Sequence, residues 1–167
     1  MTRRSILESM RIIYAHQRRH KTTLNRETRE HISVAPIPRN MHPSHRKDRR
    51  QGRTMALHKQ YHSHPQVCYV DLATYPGRRA VMAVVVGQQG NAVSSCSVNT
   101  SRRDTGQVAI TLAIPGTRAS IIISDSKTAL CNYASGSVST EAAETLRTRS
   151  ETPGRQVNLN LVWTPAH

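Results

Sequence analysis

Apolar and polar positions alternate most clearly in the second part of the chain. Val67-Cys-Tyr-Val-Asp-Leu-Ala73 is a compact β-prone run ahead of a Pro76-Gly77 turn. Residues 79–86 form a second, Val-rich run, Gly87-Gln-Gln-Gly90 is a short hairpin loop, and 92–98 mixes apolar with small polar residues as a third. Three consecutive strands with short turns predict an antiparallel meander. Val108, Ala109 and Leu112 then share one helical face, so 104–114 reads as a helix closed by Pro115-Gly116. The apolar run 119–124, built on three Ile, suits a strand buried on both faces. Ser126 is placed to cap a helix over 126–134, and Ser139 or Thr140 to open another reaching Arg149. Residues 156–163 alternate again as a last strand.

The predicted order is βββ-α-β-α-α-β, which points to an α/β fold with a mixed sheet covered by helices. The first and fourth strands are expected side by side and parallel, because a helix carries the chain back into the sheet after the meander.

Residues 1–66 follow a different pattern. Ile6, Met10 and Ile13 recur at helical spacing, and Ser5 with Glu8 has the spacing of a capping box, so 6–16 predicts a short amphipathic helix. The prolines at 36, 38 and 43 predict an extended strip over 34–43. Arg46, Lys47, Arg49, Arg50 and Arg53 make the densest basic cluster. It reads either as a phosphate-binding site working through counterion release or as a solvated linker, since no aromatic residues interleave to stack bases. His58 and His62 have the His-x3-His spacing of a zinc finger, but the Cys-x2-Cys half is missing; polar residues leading into a strand is the preferred reading.

Charge sharpens this division. The chain has 167 residues and a formal charge of +14. Residues 1–66 hold 15 Lys and Arg against 4 Asp and Glu, a net of +11, while 67–167 hold 9 against 6, a net of +3. The expected organisation is a basic, partly disordered arm (1–66) joined to a nearly balanced domain (67–167). With 37% apolar residues and no Phe, the core must rest on Val, Ile, Leu and Ala, which predicts marginal stability. The apolar runs 80–86 and 121–123 fall far short of the roughly 20 residues a bilayer span needs, so no membrane partner is expected. No signal-peptide core follows the basic start, although an Arg-rich mitochondrial presequence stays open. Cys68, Cys96 and Cys131 are odd in number and lack CxxC spacing, and read as reduced, packed thiols of an intracellular protein, nuclear or cytoplasmic and not secreted.

The candidate chemistry lies in two carboxylates. Asp71 falls within the first predicted strand of the domain and Asp125 at the carboxyl end of the fourth. Alone, each also fits a structural role, Asp71 at a strand edge and Asp125 in a turn or cap. On adjacent strands they would form a hard-oxygen site for Mg²⁺ or Mn²⁺.

Three segments in order, Tyr69-Val-Asp-Leu-Ala-Thr-Tyr-Pro-Gly-Arg78, Ile123-Ser-Asp-Ser-Lys-Thr-Ala129 and Val162-Trp-Thr-Pro-Ala-His167, resemble motifs of ribonuclease H domains. More narrowly they resemble the version in non-LTR retrotransposon polyproteins of the tick-transposon type. The stretch Ile32-Ser-Val-Ala-Pro-Ile-Pro-Arg-Asn-Met-His-Pro43 is similar to the linker that precedes that domain after reverse transcriptase. The resemblance implies a ribonuclease H-like mixed sheet and metal-dependent cleavage of the RNA strand of an RNA–DNA hybrid. It implies four carboxylates holding two divalent ions, with one ion activating water and the other steadying the leaving oxygen. Asp71 matches the first carboxylate, Asp125 the third, and His167 a histidine after the last strand.

The departures from the family pattern set the remaining expectations. The family's second carboxylate is in register with Gly106 or Gln107, neither acidic, and Asp104 reads as a helix cap or as a catalytic substitute. The fourth lies in a helix beyond the Trp-Thr-Pro-Ala-His motif, and the sequence stops at His167. The reading therefore expects a C-terminally truncated domain without its closing helix, a partly bared sheet, and poor solubility. Metal binding is expected to be weak or lost, and hydrolysis lost. The alternatives are a non-catalytic, basic nucleic-acid-binding remnant and an unstable translated fragment.

Overall fold

The computed structural model describes residues 12–14, 21–42, 44–75, 80–99, 102–116, 119–150 and 158–166. The first elements in chain order are β1 (Ile12–Tyr14), β2 (Lys21–Thr23), α1 (Arg26–Glu30), β3 (Ile32–Val34) and α2 (Lys47–Tyr61). They continue with β4 (Val67–Thr74), β5 (Val81–Gly87), β6 (Ala92–Asn99), α3 (Arg102–Gly116) and β7 (Ile121–Ser124). The last are α4 (Lys127–Ser135), β8 (Ser137–Ser139), α5 (Thr140–Ser150) and β9 (Leu159–Trp163).

Alternation of Val with small residues makes β4, β5 and β6 an antiparallel meander. The β5–β6 turn closes with Gly87 N donating to Asn91 O at 2.9 Å, and Gly90 takes the left-handed conformation that the turn needs, at φ +80°. α3 then returns the chain so that β7 lies parallel to β4, with Val67 opposite Ile121 and Val70 opposite Ser124. β9 adds parallel to β7. The Ser126 side chain caps α4 by accepting from Ala129 N, and Gly136 ends that helix at φ +69°.

The result is a mixed α/β architecture with a seven-stranded sheet ordered β1-β6-β5-β4-β7-β9-β3 and a two-stranded ribbon of β2 and β8. One sheet face, carrying Cys68, Val70, Ala83, Val85, Ile122 and Leu161, packs under α3 and α4, and α5 packs against α3. α3 is buried on all sides from Thr105 to Ala113, as its nearly continuous small and apolar sequence requires. Each large apolar side chain fully buried here stabilises the fold by about 1.5–3 kcal/mol before entropy is charged against it.

The opposite face departs from expectation. The basic stretch read as a linker forms α2, whose Leu57 packs with Val67, Ile123 and Val162. That contact covers the β7–β9 side of the face expected to be bare. Over β5 and β6 the same face stays open, with Val93 46% exposed. His58 therefore sits in a helix and not in a polar lead-in to a strand.

Two more local expectations change. Ile12–Tyr14, placed in a helix over 6–16, is a strand parallel to β6, because β-branched and aromatic residues suit the free edge that β6 offers; the rest of 6–16 lies outside the described residues. Cys68 and Cys96 are buried as read, but Cys131 is exposed on α4. The charge boundary near Gln66 separates two compositions within one sheet, since β1 and β3 from the arm pair with β6 and β9. No helix among the described residues is long and apolar enough to cross a membrane.

Candidate functional site

The parallel pairing of β4 with β7 brings the two candidate carboxylates together in register. Val70 lies opposite Ser124, and Asp71 and Asp125 are the next residue on each strand. Alternation turns Val67 and Tyr69 to the face that α2 covers, and Asp71 continues that row. Asp71 is exposed, and its Oδ1 accepts from Leu72 N at 2.7 Å. That one backbone bond leaves the second oxygen's lone pairs to water or a cation.

Asp125 is half-buried and held through its backbone. Its carbonyl accepts from Trp163 Nε1 at 3.0 Å and from Lys127 N at 3.0 Å. Thr164 N donates to Ser124 O at 3.0 Å, and Trp163 lies opposite Ser124 in the β7–β9 ladder. The three segments singled out in the sequence thus meet at one end of the sheet: Asp71 on β4, Ser124-Asp125 after β7, and Trp163-Thr164 at the end of β9. His167 lies outside the described residues.

Positions 106 and 107, indistinguishable by sequence, have different surroundings. Gln107 is buried and occupied: Ser139 N donates to its Oε1 at 2.7 Å, and Thr111 Oγ1 and Tyr133 Oη each donate to its backbone carbonyl at 3.0 Å. Burial pushes the Tyr133 phenol well above its ordinary range, with the Thr111 hydrogen bond acting the other way. Gly106 instead faces the start of α4. A Cβ there would stand 2.7 Å from Ser126 Oγ and 3.1 Å from Ser126 Cβ, beside Asp125. Asp104, read as a helix cap or a catalytic substitute, lies inside α3, which begins at Arg102.

The five basic residues of the arm also divide. Arg53 donates from Nε and Nη2 to Trp163 O at 3.1 and 2.9 Å, with its guanidinium carbon 5.7 Å from the Trp163 ring centre. Burial lowers the Arg53 pKa, partly offset by Tyr61. Arg50 Nη2 donates to Ala166 O. These two arginines tie α2 to the segment after β9, while Arg46, Lys47 and Arg49 are exposed. Sequence reasoning grouped all five by charge; only the carbonyls left open at the end of β9 separate them.

Chemically, two carboxylates at neighbouring strand positions offer hard oxygen donors. Among the described residues no group of three or more His, Cys, Asp or Glu side chains is placed to hold a metal. No family model matches the chain, and no curated protein matches it.

Proposed function

We propose that this chain is a ribonuclease H-like, nucleic-acid-binding domain of retrotransposon type whose hydrolytic activity has been lost. The observation that carries the reading is the register of β4 and β7, which sets Asp71 and Asp125 side by side within the strand order β6-β5-β4-β7-β9. The match of Asp71 and Asp125 to the family's first and third carboxylates supports the same reading. Gly106, beside Ser126, is one of the two positions, with Gln107, where the resemblance expects the second.

The donor set fits one hard divalent ion, Mg²⁺ or Mn²⁺, held by Asp71 and Asp125 with water completing its shell. It does not fit two. Two divalent ions carry +4, and the matched pair supplies −2, so the repulsion between cations about 3.5–4 Å apart goes largely uncompensated. A single ion here would supply charge stabilisation to a bound phosphate. The chain's own residues would position it: β4 and β7 hold the carboxylates, and Trp163 fixes the Asp125 backbone.

Titration of Mn²⁺ into the chain, read by water-proton relaxation, tests this. One weak site lost in Asp71→Asn, with no metal-dependent cut of the RNA strand of a hybrid, is the expected result. Binding indifferent to Asp71→Asn would remove the carboxylate site. A cut abolished by Asp71→Asn would instead overturn the loss of hydrolysis.

A further inference from the structure

Resting on the nucleic-acid reading above, we infer that the amino end of α2 is a landing ridge for a nucleic-acid phosphate backbone. The ridge is built by Arg46, Lys47 and Arg49, set beside the Asp71–Asp125 end of the sheet. The placement follows from how α2 lies. Arg50 and Arg53 reach carbonyls at the carboxyl end of β9, whereas Leu57, further along the helix, packs on Val67 at the start of β4. β4, β7 and β9 are mutually parallel, so α2 runs against them. Its amino end therefore shares one end of the sheet with Asp125 and the face of Asp71.

The charge at that end stays positive, with Arg46, Lys47, Arg49, Arg50 and Arg53 against Asp48, Asp71 and Asp125. Arg46, Lys47 and Arg49 are exposed, and none of them is in an ion pair among the described residues. Asp48 is the one acid between residues 31 and 66. The positive end of the helix dipole adds to the same field. No Phe, Tyr or Trp occurs between 39 and 50, and the His42 and His45 rings stack on each other with centroids 5.1 Å apart, so the ridge has no large aromatic platform for stacking bases. Closely spaced cations without base-reading groups fit a regularly charged duplex backbone, bound without sequence preference. Arg50 and Arg53 are excluded from the ridge because their guanidinium groups already serve the Ala166 and Trp163 carbonyls.

Fluorescence anisotropy of a labelled RNA–DNA hybrid, run in EDTA between about 50 and 200 mM salt, isolates the ridge from any metal site. The variants are Arg46→Glu/Lys47→Glu/Arg49→Glu, its Gln counterpart, and Lys59→Glu at the far end of α2. The triple reversal should weaken binding at least about tenfold and flatten the salt dependence by about 2–3 in log–log slope, at roughly 0.7–0.9 per phosphate contact. The Gln variant should show the same flattening, and Lys59→Glu should keep the parent's slope and stay within about 1.3-fold of its affinity. A per-charge loss as large for Lys59→Glu as for the ridge overturns the inference, and so does an intact chain whose binding is insensitive to salt. A missing Mn²⁺ site would remove the Asp71–Asp125 metal site and leave this result standing.

Discussion

Gly106→Ala places a single methyl group at the junction of α3 and α4, and its effect can be worked from the contacts there. By helix propensity alone the change should stabilise, since Ala is favoured over Gly within a helix by about 1 kcal/mol. The new Cβ would lie 2.7 Å from Ser126 Oγ, 3.1 Å from Ser126 Cβ and 3.5 Å from Ala129 Cβ. Ser126 cannot turn away freely. Its Oγ accepts from Ala129 N at 3.4 Å as the α4 cap, and its own N–H donates to Ser124 Oγ at 3.2 Å. Overpacking costs about 1–3 kcal/mol, and losing the cap about 1 kcal/mol more. Net destabilisation of about 1–3 kcal/mol follows. With a urea slope near 2 kcal/mol/M, the unfolding midpoint should fall by about 0.5–1.5 M. Repeating the change in a Ser126→Gly background removes both the clash and the cap. There the methyl should stabilise by up to about 1 kcal/mol, so the sign reverses between backgrounds. A Gly106→Ala variant as stable as the parent, or one whose effect is the same in both backgrounds, would refute the packing argument.

Arg53→Ala should cost about 1.5–3 kcal/mol, because it removes two charge-assisted bonds to Trp163 O from a part-buried position. Arg53→Lys should recover less than half of that in a thermal melt, because an ammonium cannot reproduce the fork. The Tyr133 phenol, pushed up by burial, should give an alkaline limb: stability is full below about pH 10 and falls above it, where the unfolded chain ionises and the folded one cannot. Tyr133→Phe should flatten that limb in urea titrations across pH while lowering neutral stability by about 1 kcal/mol, since Thr111 still donates to the Gln107 carbonyl. Asp71→Asn should leave the unfolding midpoint within about 0.5 kcal/mol of the parent, as expected for an exposed side chain with one local hydrogen bond, even where it removes Mn²⁺.

From β4 to β9 the main elements could be read locally, because each carries its own signal. The Val-rich meander has period-two alternation, the turn has Gly87 and Gly90, and α4 has Ser126 in front of it. The arm could not be read this way. α2 contains Gly52, has one buried apolar residue, Leu57, and shows no continuous stripe that would announce a helix. It is held in place from a distance, by Leu57 on Val67 and by two arginines on carbonyls more than a hundred residues away. β1 and β3 are three residues each, and what makes them strands is the free edge of β6 and of β9. Such elements depend on a partner surface that the local sequence does not contain.

At the site, strand register could be anticipated and helix rotation could not. Asp71 and Asp125 needed only the order of the strands. Adjacent residues in a helix are about 100° apart, so a one-residue ambiguity between 106 and 107 decides whether a side chain faces the strand end or the interior. Packing separates the two positions: Gln107 serves the buried backbone of Ser139, and Gly106 faces the cap beside Asp125. Under the proposed reading this also explains why the loss would not be easily reversed. A Glu at 106 would have to displace the Ser126 hydroxyl that holds the first turn of α4, and that turn follows directly from Asp125. Restoring one carboxylate would then disturb the backbone that positions another. Reconstitution calls for a paired change, a smaller residue at 126 together with the acid at 106, before any gain in metal affinity can follow.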